Sequence, residues 1–252
     1  MRIGVVFSGG GARGIAHLGG LQALEELGIR PAMISGVSAG ALIGALYAAG
    51  KSPMEILEMI KQQSHSSLAA AILFPGGLFS YKGLRNLLKS VIPSDDFADL
   101  KIPLTVTATE LATGTSVRFS QGSLYDVLLG SAAIPGLFDP VKVGNCHLVD
   151  GGVLDNLPVA CIRESCDKVL GIHVNKFNKG AEKLTRPQVI DRCFHLAIAP
   201  GVAANAMLCD LLVEPDTSGC TIFDTQKASQ LFTAGYKAIM HEKEVLNSWR
   251  GS

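Results

Sequence analysis

The stretch Ile3-Gly4-Val5-Val6-Phe7-Ser8-Gly9-Gly10-Gly11-Ala12-Arg13-Gly14 sets an apolar run directly against a glycine-rich turn. A second stretch, Ile34-Ser35-Gly36-Val37-Ser38-Ala39-Gly40, repeats the arrangement with a serine between two glycines. In both stretches a run rich in β-branched residues gives way to a helical pattern, which predicts a strand, a tight turn and a helix. Together the two turns predict an oxyanion hole beside a serine nucleophile.

The rest of the chain alternates between strand and helix patterns, without a repeat or a linker. This alternation predicts an α/β fold in a single domain over residues 1–252, and 48% hydrophobic residues are enough to build its core. The predicted strands are 3–7, a short one ending near 35, 103–110, 116–120, 141–143, 146–149, 168–174 and 211–214. The predicted helices are 15–27, 39–49, one starting at the Ser52–Glu55 capping box, 81–90, 124–132, one between Pro158 and the strand at 168, 188–199 and 225–246.

Charge and cysteine usage narrow the class of protein. Lys plus Arg and Asp plus Glu both number 22, so the formal net charge is zero. This balance does not indicate attraction to nucleic acid or to an anionic membrane surface, so no nucleic-acid partner is expected and any membrane contact would be apolar. None of the six cysteines forms a Cys-x-x-Cys pair or follows zinc-like spacing, which predicts reduced, mostly buried thiols and no metal.

The first residues run from Met1 into the glycine turn without the apolar stretch and small-residue cleavage site of a signal peptide. A cytoplasmic location is therefore expected. Residues 31–50 carry no charge over close to the ~20 residues that a bilayer requires, yet Ser35, Ser38 and four glycines dilute them. A strand, a tight turn and a buried helix account for the same pattern, so no membrane-spanning helix is expected.

Ser38 is the candidate nucleophile. In a Gly-x-Ser-x-Gly turn the two glycines, Gly36 and Gly40, leave room where the helix passes close to the strand, and the serine hydroxyl is exposed on a strained turn. The following helix directs its positive end at that hydroxyl. A serine that only caps the helix between two packing glycines is the alternative.

Gly10, Gly11 and Ala12 are the candidate oxyanion donors. Acyl transfer through serine requires backbone N–H groups aimed at a carbonyl oxygen as it gains charge, and adjacent glycines let the main chain approach the substrate closely. Arg13 could hold a phosphate or fix the loop, or could be a solvated surface residue. The same loop matches the dinucleotide fingerprint Gly-x-Gly-x-x-Gly, but the acidic residue expected at the end of the second strand is missing.

Asp150 is the candidate base, since it ends a predicted strand and precedes Gly151 and Gly152, which leave room for its side chain. Near its reference pKa of about 3.9 an aspartate is a weak base, so a dry site that raises its proton affinity is needed. A triad in the chain order of α/β-hydrolases is hard to build, because His17 precedes the serine and His147 precedes Asp150, although three later histidines stay possible. An aspartate in an ordinary turn is the alternative.

Four motifs occur in one order over most of residues 1–160: Gly9-Gly10-Gly11-Ala12-Arg13-Gly14, Gly36-Val37-Ser38-Ala39-Gly40, Ser131-Ala132-Ala133-Ile134-Pro135-Gly136-Leu137-Phe138 and Leu148-Val149-Asp150-Gly151-Gly152, followed by Asn156 and Pro158. In this respect the chain resembles bacterial patatin-like phospholipases. The resemblance implies a three-layer α/β/α fold around a central, mainly parallel sheet. It implies Ser38 as nucleophile, Asp150 as sole base and residues 9–14 as the oxyanion hole, with no metal and no cofactor.

The resemblance also implies an enzyme that hydrolyses an acyl ester, most of all of a lipid, through an acyl-Ser38 intermediate. A lipid or other acyl ester is then the expected partner, with a transient peripheral contact to a membrane. Residues 64–80 are predicted to form a lid or interfacial loop, and residues 68–79 with 134–138 the lipid-facing mouth, against the alternative of ordinary core. A non-catalytic regulatory or adaptor protein on the same fold and a dinucleotide-binding protein are the alternative functions.

Overall fold

The computed structural model describes residues 1–65, 81–176 and 184–250. Its elements alternate as the sequence pattern predicts. The strands are β1 (Ile3–Phe7), β2 (Met33–Val37), β3 (Leu104–Glu110), β4 (Thr115–Phe119), β5 (Val141–Val143), β6 (Cys146–Asp150), β7 (Lys168–Ile172) and β8 (Leu211–Val213). The helices are α1 (Ile15–Glu26), α2 (Ala39–Ala48), α3 (Pro53–His65), α4 (Tyr81–Val91), α5 (Leu124–Ser131), α6 (Arg186–Ala206), α7 (Ala228–His241) and α8 (Lys243–Ser248).

The strands form one mixed sheet in the order β5-β6-β3-β2-β1-β7-β8, with β4 also paired to β3. The five strands from β3 to β8 in this order run parallel to one another. The three remaining strands pair antiparallel and gather at the β3 end. The predicted central, mainly parallel sheet is confirmed.

Helices cover both faces of the sheet, because successive strand residues point to opposite sides. Val5 and Phe7 of β1 belong to the larger core, which α1, α2 and α7 complete. Val6 between them belongs to a smaller core on the other face, where Ile198 and Val202 of α6 pack. The predicted three-layer α/β/α arrangement is therefore confirmed.

Strand β3 holds two strands on one edge, and this arrangement builds the site. Strand β4 pairs with residues 106–110 along one edge of β3. Strand β2 pairs with residues 104–107 and β6 with residues 108–110, so both of them lie along the opposite edge. Because β2 is parallel and β6 antiparallel to β3, their carboxyl ends approach each other. Val37 pairs with Thr107 and Asp150 with the adjacent Ala108.

Several element boundaries differ from the predicted ones. The predicted closing helix at 225–246 is divided at Glu242, after which Leu246 of α8 and Trp249, just past its end, are buried in the larger core. Helix α6 is longer than predicted and continues through Pro200, because Ile198 and Val202 on either side of it are both buried. The helix predicted before β7 is reduced to a 3₁₀ turn, Arg163–Ser165. Each of these boundaries is decided by tertiary packing, which local helix propensity cannot predict.

Three further predictions concern a lid, membrane-spanning helices and the cysteines. The predicted lid at 64–80 lies, apart from its first two residues, outside the described residues. Among the described residues, no helix combines the length and the apolar character needed to cross a membrane. The cysteines are free thiols, but only Cys166 and Cys220 are buried and Cys193 is exposed, so the prediction of mostly buried thiols is wrong.

Candidate active site

Ser38 lies on a strained turn between β2 and α2. Its φ of 53° and ψ of −126° make it the only non-glycine residue with positive φ in the described part of the chain. Such a conformation costs on the order of 1–3 kcal/mol and persists only where the surrounding structure enforces it. The turn places the serine at the start of α2, as the glycine-framed motif predicts.

Gly36 and Gly40 are required by the close approach of α2 to the strands. A Cβ atom on Gly36 would lie 2.7 Å from the carbonyl oxygen of Gly40. A Cβ atom on Gly40 would lie 2.6 Å from the carbonyl oxygens of both Phe7 and Ser8. These distances are below any real carbon contact, so the predicted packing role of both glycines agrees with the geometry.

Asp150 lies beside Ser38, because β2 and β6 meet end to end along β3. The Ser38 hydroxyl donates a hydrogen bond of 2.6 Å to Asp150 Oδ2. The other carboxylate oxygen, Oδ1, accepts a 2.8 Å hydrogen bond from the N–H of Gly152, which with Gly151 begins the 3₁₀ turn after β6. The Asp150 N–H donates to Ala133 O at 2.9 Å. Both carboxylate oxygens therefore have a fixed orientation.

Burial changes the acidity of Asp150. Only 5% of the residue is exposed, and this burial raises its pKa from 3.8 to about 6, although the hydrogen bonds from Ser38 and Gly152 act in the opposite direction. Desolvation dominates because a carboxylate loses more hydration than two hydrogen bonds replace. The side chain thus has the raised proton affinity that a base at this position needs, and with a pKa of about 6 it is largely ionised at pH 7.

Ser131 supports the turn, a role that its neighbours in the sequence do not indicate. Its hydroxyl accepts a 2.9 Å hydrogen bond from the N–H of Ser38 and donates one of 2.7 Å to Thr107 O. It therefore connects the strained turn to β3. Its place at the head of the Ser131–Phe138 motif was visible in the sequence, but its contact with a residue 93 positions away was not.

The glycine loop forms a 3₁₀ turn, Gly11–Gly14, that leads directly into α1. Gly10 and Gly11 have φ of 156° and 56°, which favour glycine. The N–H of Ala12 donates to Ile222 O at 2.8 Å and that of Arg13 to Gly10 O at 3.1 Å, so neither is free for an oxyanion. Within the described ranges, no backbone carbonyl oxygen accepts a hydrogen bond from the N–H of Gly10 or of Gly11.

The side chain of Arg13 connects the glycine loop to later parts of the chain. Its guanidinium donates to the carbonyl oxygen of Cys220, to Asn175 Oδ1 and to Asp191 Oδ2 at 2.9, 3.3 and 3.0 Å. Of the alternatives left open by the sequence, fixing the loop agrees best with this geometry. Gly9 is held as well, since its carbonyl oxygen accepts a 2.7 Å hydrogen bond from Asn175 Nδ2.

The histidines do not form a triad with Ser38 in the described part of the chain. The only side chain there that hydrogen bonds to the Ser38 hydroxyl is Asp150. His17 is buried, which lowers its pKa to about 3, and its Nε2 bonds to Ser8 O. His173 pairs with Glu214. Among the described residues, no three His, Cys, Asp or Glu side chains gather as a metal site would require.

An apolar cavity of about 310 Å³ opens beside Ser38. Ser38, Gly11 and Ala12 lie on its wall, so the hydroxyl and the glycine loop face the same space. Three residues of the predicted mouth, Ile134, Leu137 and Phe138, line it, whereas the predicted residues 68–79 lie outside the described ranges. The other lining residues are Ile15, Ala39, Leu42, Ile43, Leu46, Met59, Ile60, Leu84, Leu87, Leu88, Ala132, Ile222, Phe223 and Thr225.

The chain is similar in sequence to one group of proteins. The family model described as Patatin-like phospholipase matches residues 5–160, more than half of the chain. An uncharacterized NTE family protein of Mycobacterium tuberculosis is 32% identical over 191 residues, covering 75% of this chain and 53% of that protein. Lysophospholipase NTE1 of Mycosarcoma maydis is 34% identical over 166 residues, covering 63% of this chain and 9% of that protein. The chain thus spans about half the length of the first relative and about a tenth of the second.

A solved structure shares the fold. VipD from Legionella pneumophila superposes with a TM-score of 0.56 at 17% sequence identity, over 97% of this chain and 67% of that chain. At this identity the similarity concerns the fold alone.

Proposed function

Because the chain belongs to the patatin-like phospholipase family, we propose that it hydrolyses acyl esters of lipids with a Ser38–Asp150 dyad. The observation that carries the proposal is the 2.6 Å hydrogen bond from the Ser38 hydroxyl to Asp150 at the wall of an apolar cavity. A hydroxyl is a weak nucleophile until a neighbouring base removes its proton. Asp150 is the base that lies within reach.

The proposed reaction has two halves. Ser38 Oγ attacks the ester carbonyl while Asp150 takes the hydroxyl proton, and the carbonyl oxygen becomes an oxyanion. Collapse of this intermediate expels the alcohol, which receives the proton from Asp150, and leaves an acyl-Ser38. Asp150 then takes a proton from water, which attacks the acyl carbonyl; the bond between the acyl carbon and Ser38 Oγ breaks, Oγ receives that proton from Asp150, and the carboxylic acid leaves.

The N–H groups of Gly10 and Gly11 are the proposed oxyanion donors. The Ala12 N–H donates to Ile222 O and the Arg13 N–H to Gly10 O. Of the donors that the sequence suggested, those of Gly10 and Gly11 are therefore retained. Donors of this kind act in the transition state, and losing one typically lowers turnover by ~10²–10³-fold. Gly9, Ala12, Arg13 and Gly14 then shape and hold the loop.

The cavity supports an acyl chain, rather than a charged headgroup, as the buried part of the substrate. Apart from Ser38 and Thr225, its lining side chains are apolar. Burying a methylene contributes about 0.8 kcal/mol, which corresponds to roughly a fourfold gain in kcat/KM per methylene while the chain still fits. Because relatives are named lysophospholipases, a lysophospholipid is the first natural substrate to test.

We expect a fluorophosphonate probe to label Ser38 and nitrophenyl esters to be hydrolysed with a strong preference for longer chains. From the butyrate to the octanoate, kcat/KM should rise by roughly 10²-fold. Leu137→Gln should weaken this preference, because Leu137 lines the cavity and is 43% exposed. Leu111→Gln, at a residue 55% exposed and outside the cavity lining, is the matched control. A folded protein with neither label nor turnover would favour the non-catalytic adaptor instead.

The pH dependence of turnover should follow Asp150. Its ionised form accepts the serine proton, and burial raises its pKa to about 6, so kcat/KM should fall about tenfold per pH unit below pH 6 and level off above it. Steady-state hydrolysis between pH 4.5 and 8, with circular dichroism to exclude unfolding, measures this profile. A rate that stays constant from pH 5 to 8 would exclude a base with a pKa raised to about 6 and contradict this account of Asp150.

A further inference from the structure

The glycine loop is held largely by residues after 170, beyond the part of the chain that the family model matches. Asn175 Nδ2 donates to Gly9 O at 2.7 Å, and Ile222 O accepts the Ala12 N–H at 2.8 Å. Glycines with positive φ gain much conformational freedom once such contacts are lost. The backbone of Gly10 and Gly11 therefore depends on its surroundings for a single conformation.

Arg13 is the side chain through which α6 contacts this loop. It is 13% exposed, and its NH2 group donates to Asp191 Oδ2 at 3.0 Å. Its NH1 group lies 3.3 Å from His195 Nε2, and its Nε donates to Cys220 O. Asp191 and His195 are four residues apart and face the same side of α6. NH1 also donates to Asn175 Oδ1 at 3.3 Å, so all three guanidinium nitrogens are engaged by other parts of the chain.

The ring of His195 has one protonation state that fits these contacts. A guanidinium only donates, so Nε2 must be the unprotonated nitrogen, and Nδ1–H then faces Asp191 Oδ2 at 3.5 Å. Burial lowers the pKa of His195 below its ordinary 6.5. Arg13, His173 and Arg192 nearby also lower this pKa, whereas the Asp191 carboxylate raises it. The neutral ring at pH 7 is therefore an acceptor for Arg13.

We propose, on the basis of the proposed function, that Asp191 and His195 of α6 are positioning residues of the oxyanion hole. They hold Arg13, and Arg13 holds the N–H groups of Gly10 and Gly11 on the oxyanion. Neither residue is among those that line the acyl cavity, so we expect their effect on the transition state and not on substrate binding. This assigns a catalytic contribution to a helix outside the matched motifs.

The first test is a kcat-against-KM split with a nitrophenyl ester. Asp191→Asn removes the charge that Arg13 pairs with, and kcat should fall roughly tenfold or more with KM within twofold, because small misplacements of catalytic groups can cost up to ~10²-fold. Asp210→Asn is the matched control: Asp210 has a similar exposure and pairs with Arg163 and Lys168 away from the loop, so its kcat should stay unchanged. His195→Phe, which keeps the ring without the acceptor, is the second variant if Asp191→Asn fails to fold.

The second readout does not need turnover. Hydrogen exchange of the peptide covering residues 8–14 should be several-fold faster in Asp191→Asn and His195→Phe than in wild type and Asp210→Asn. Faster exchange in a protein without any turnover would support the holding role of α6 while removing the proposed function. Unchanged exchange in both folded variants overturns the proposal, and so does an unchanged kcat in an active enzyme.

Discussion

Replacing Ser38 with alanine should lower kcat by roughly 10⁴-fold or more without unfolding the protein. The Ser38 hydroxyl is the proposed nucleophile, and in the described part of the chain it is the only side-chain group that hydrogen bonds to Asp150. Removal of the nucleophile in comparable serine hydrolases leaves only the catalysis supplied by binding and the oxyanion hole. Steady-state hydrolysis of a nitrophenyl ester, with burst analysis of the acyl-enzyme, measures the loss.

Ser35→Ala is the matched control for this experiment. Ser35 is also a buried serine, and it precedes the turn on β2, but its hydroxyl bonds to Pro158 O and not to the dyad. Its loss should affect the free energy of unfolding by about 1 kcal/mol and leave kcat within a few-fold of wild type. A folded Ser38→Ala protein that hydrolyses the ester at the wild-type rate would exclude Ser38 as nucleophile.

Asp150→Asn should also lower kcat, by roughly 10³-fold or more, because an amide cannot accept the serine proton at pH 7. The substitution keeps the shape of the side chain. The amide oxygen can accept from the Gly152 N–H as Oδ1 does, and the amide nitrogen can donate to Ser38 Oγ. The loss therefore tests proton transfer more than geometry. Asp155→Asn, at another buried aspartate near the turn, is the control and should stay active.

The same variant should be more stable than wild type at pH 8. Burial raises the pKa of Asp150 in the folded state to about 6, above its ordinary 3.8, so ionisation opposes folding as pH rises from about 4 to 6. The difference corresponds to on the order of 3 kcal/mol above pH 6, and asparagine does not incur it. Urea unfolding of both proteins at pH 4 and pH 8 should show no advantage at pH 4 and a clear one at pH 8. Equal free energies of unfolding for the two proteins at pH 8 would show that the ionised Asp150 does not destabilise the folded state.

The local geometry of the candidate site was predictable from the sequence. The glycines at 36 and 40 and the serine between them indicate a strained turn, and the structure has positive φ at Ser38. The membership of the family, which four ordered motifs suggested, and the three-layer fold are confirmed. Such features are readable because turn geometry and burial period depend on residues close together in the chain.

Long-range features were not predictable in this way. Ser131 supports the Ser38 turn from 93 residues away, and Arg13 meets Asp191 across 178 residues. The break at Glu242 and the length of α6 follow from burial on partners that come from other parts of the chain. No local pattern records which distant side chain will occupy a given space.

By itself, the sequence identified Ser38, Asp150 and the glycine loop as the candidates for the proposed chemistry and determined the local turns on which they stand. Only the tertiary structure decided that they meet. Strands β2 and β6 share one edge of β3 and end face to face, which brings two residues 112 positions apart within 2.6 Å. It also decided the acidity of Asp150, because the pKa of a carboxyl depends on how much water the assembled layers exclude.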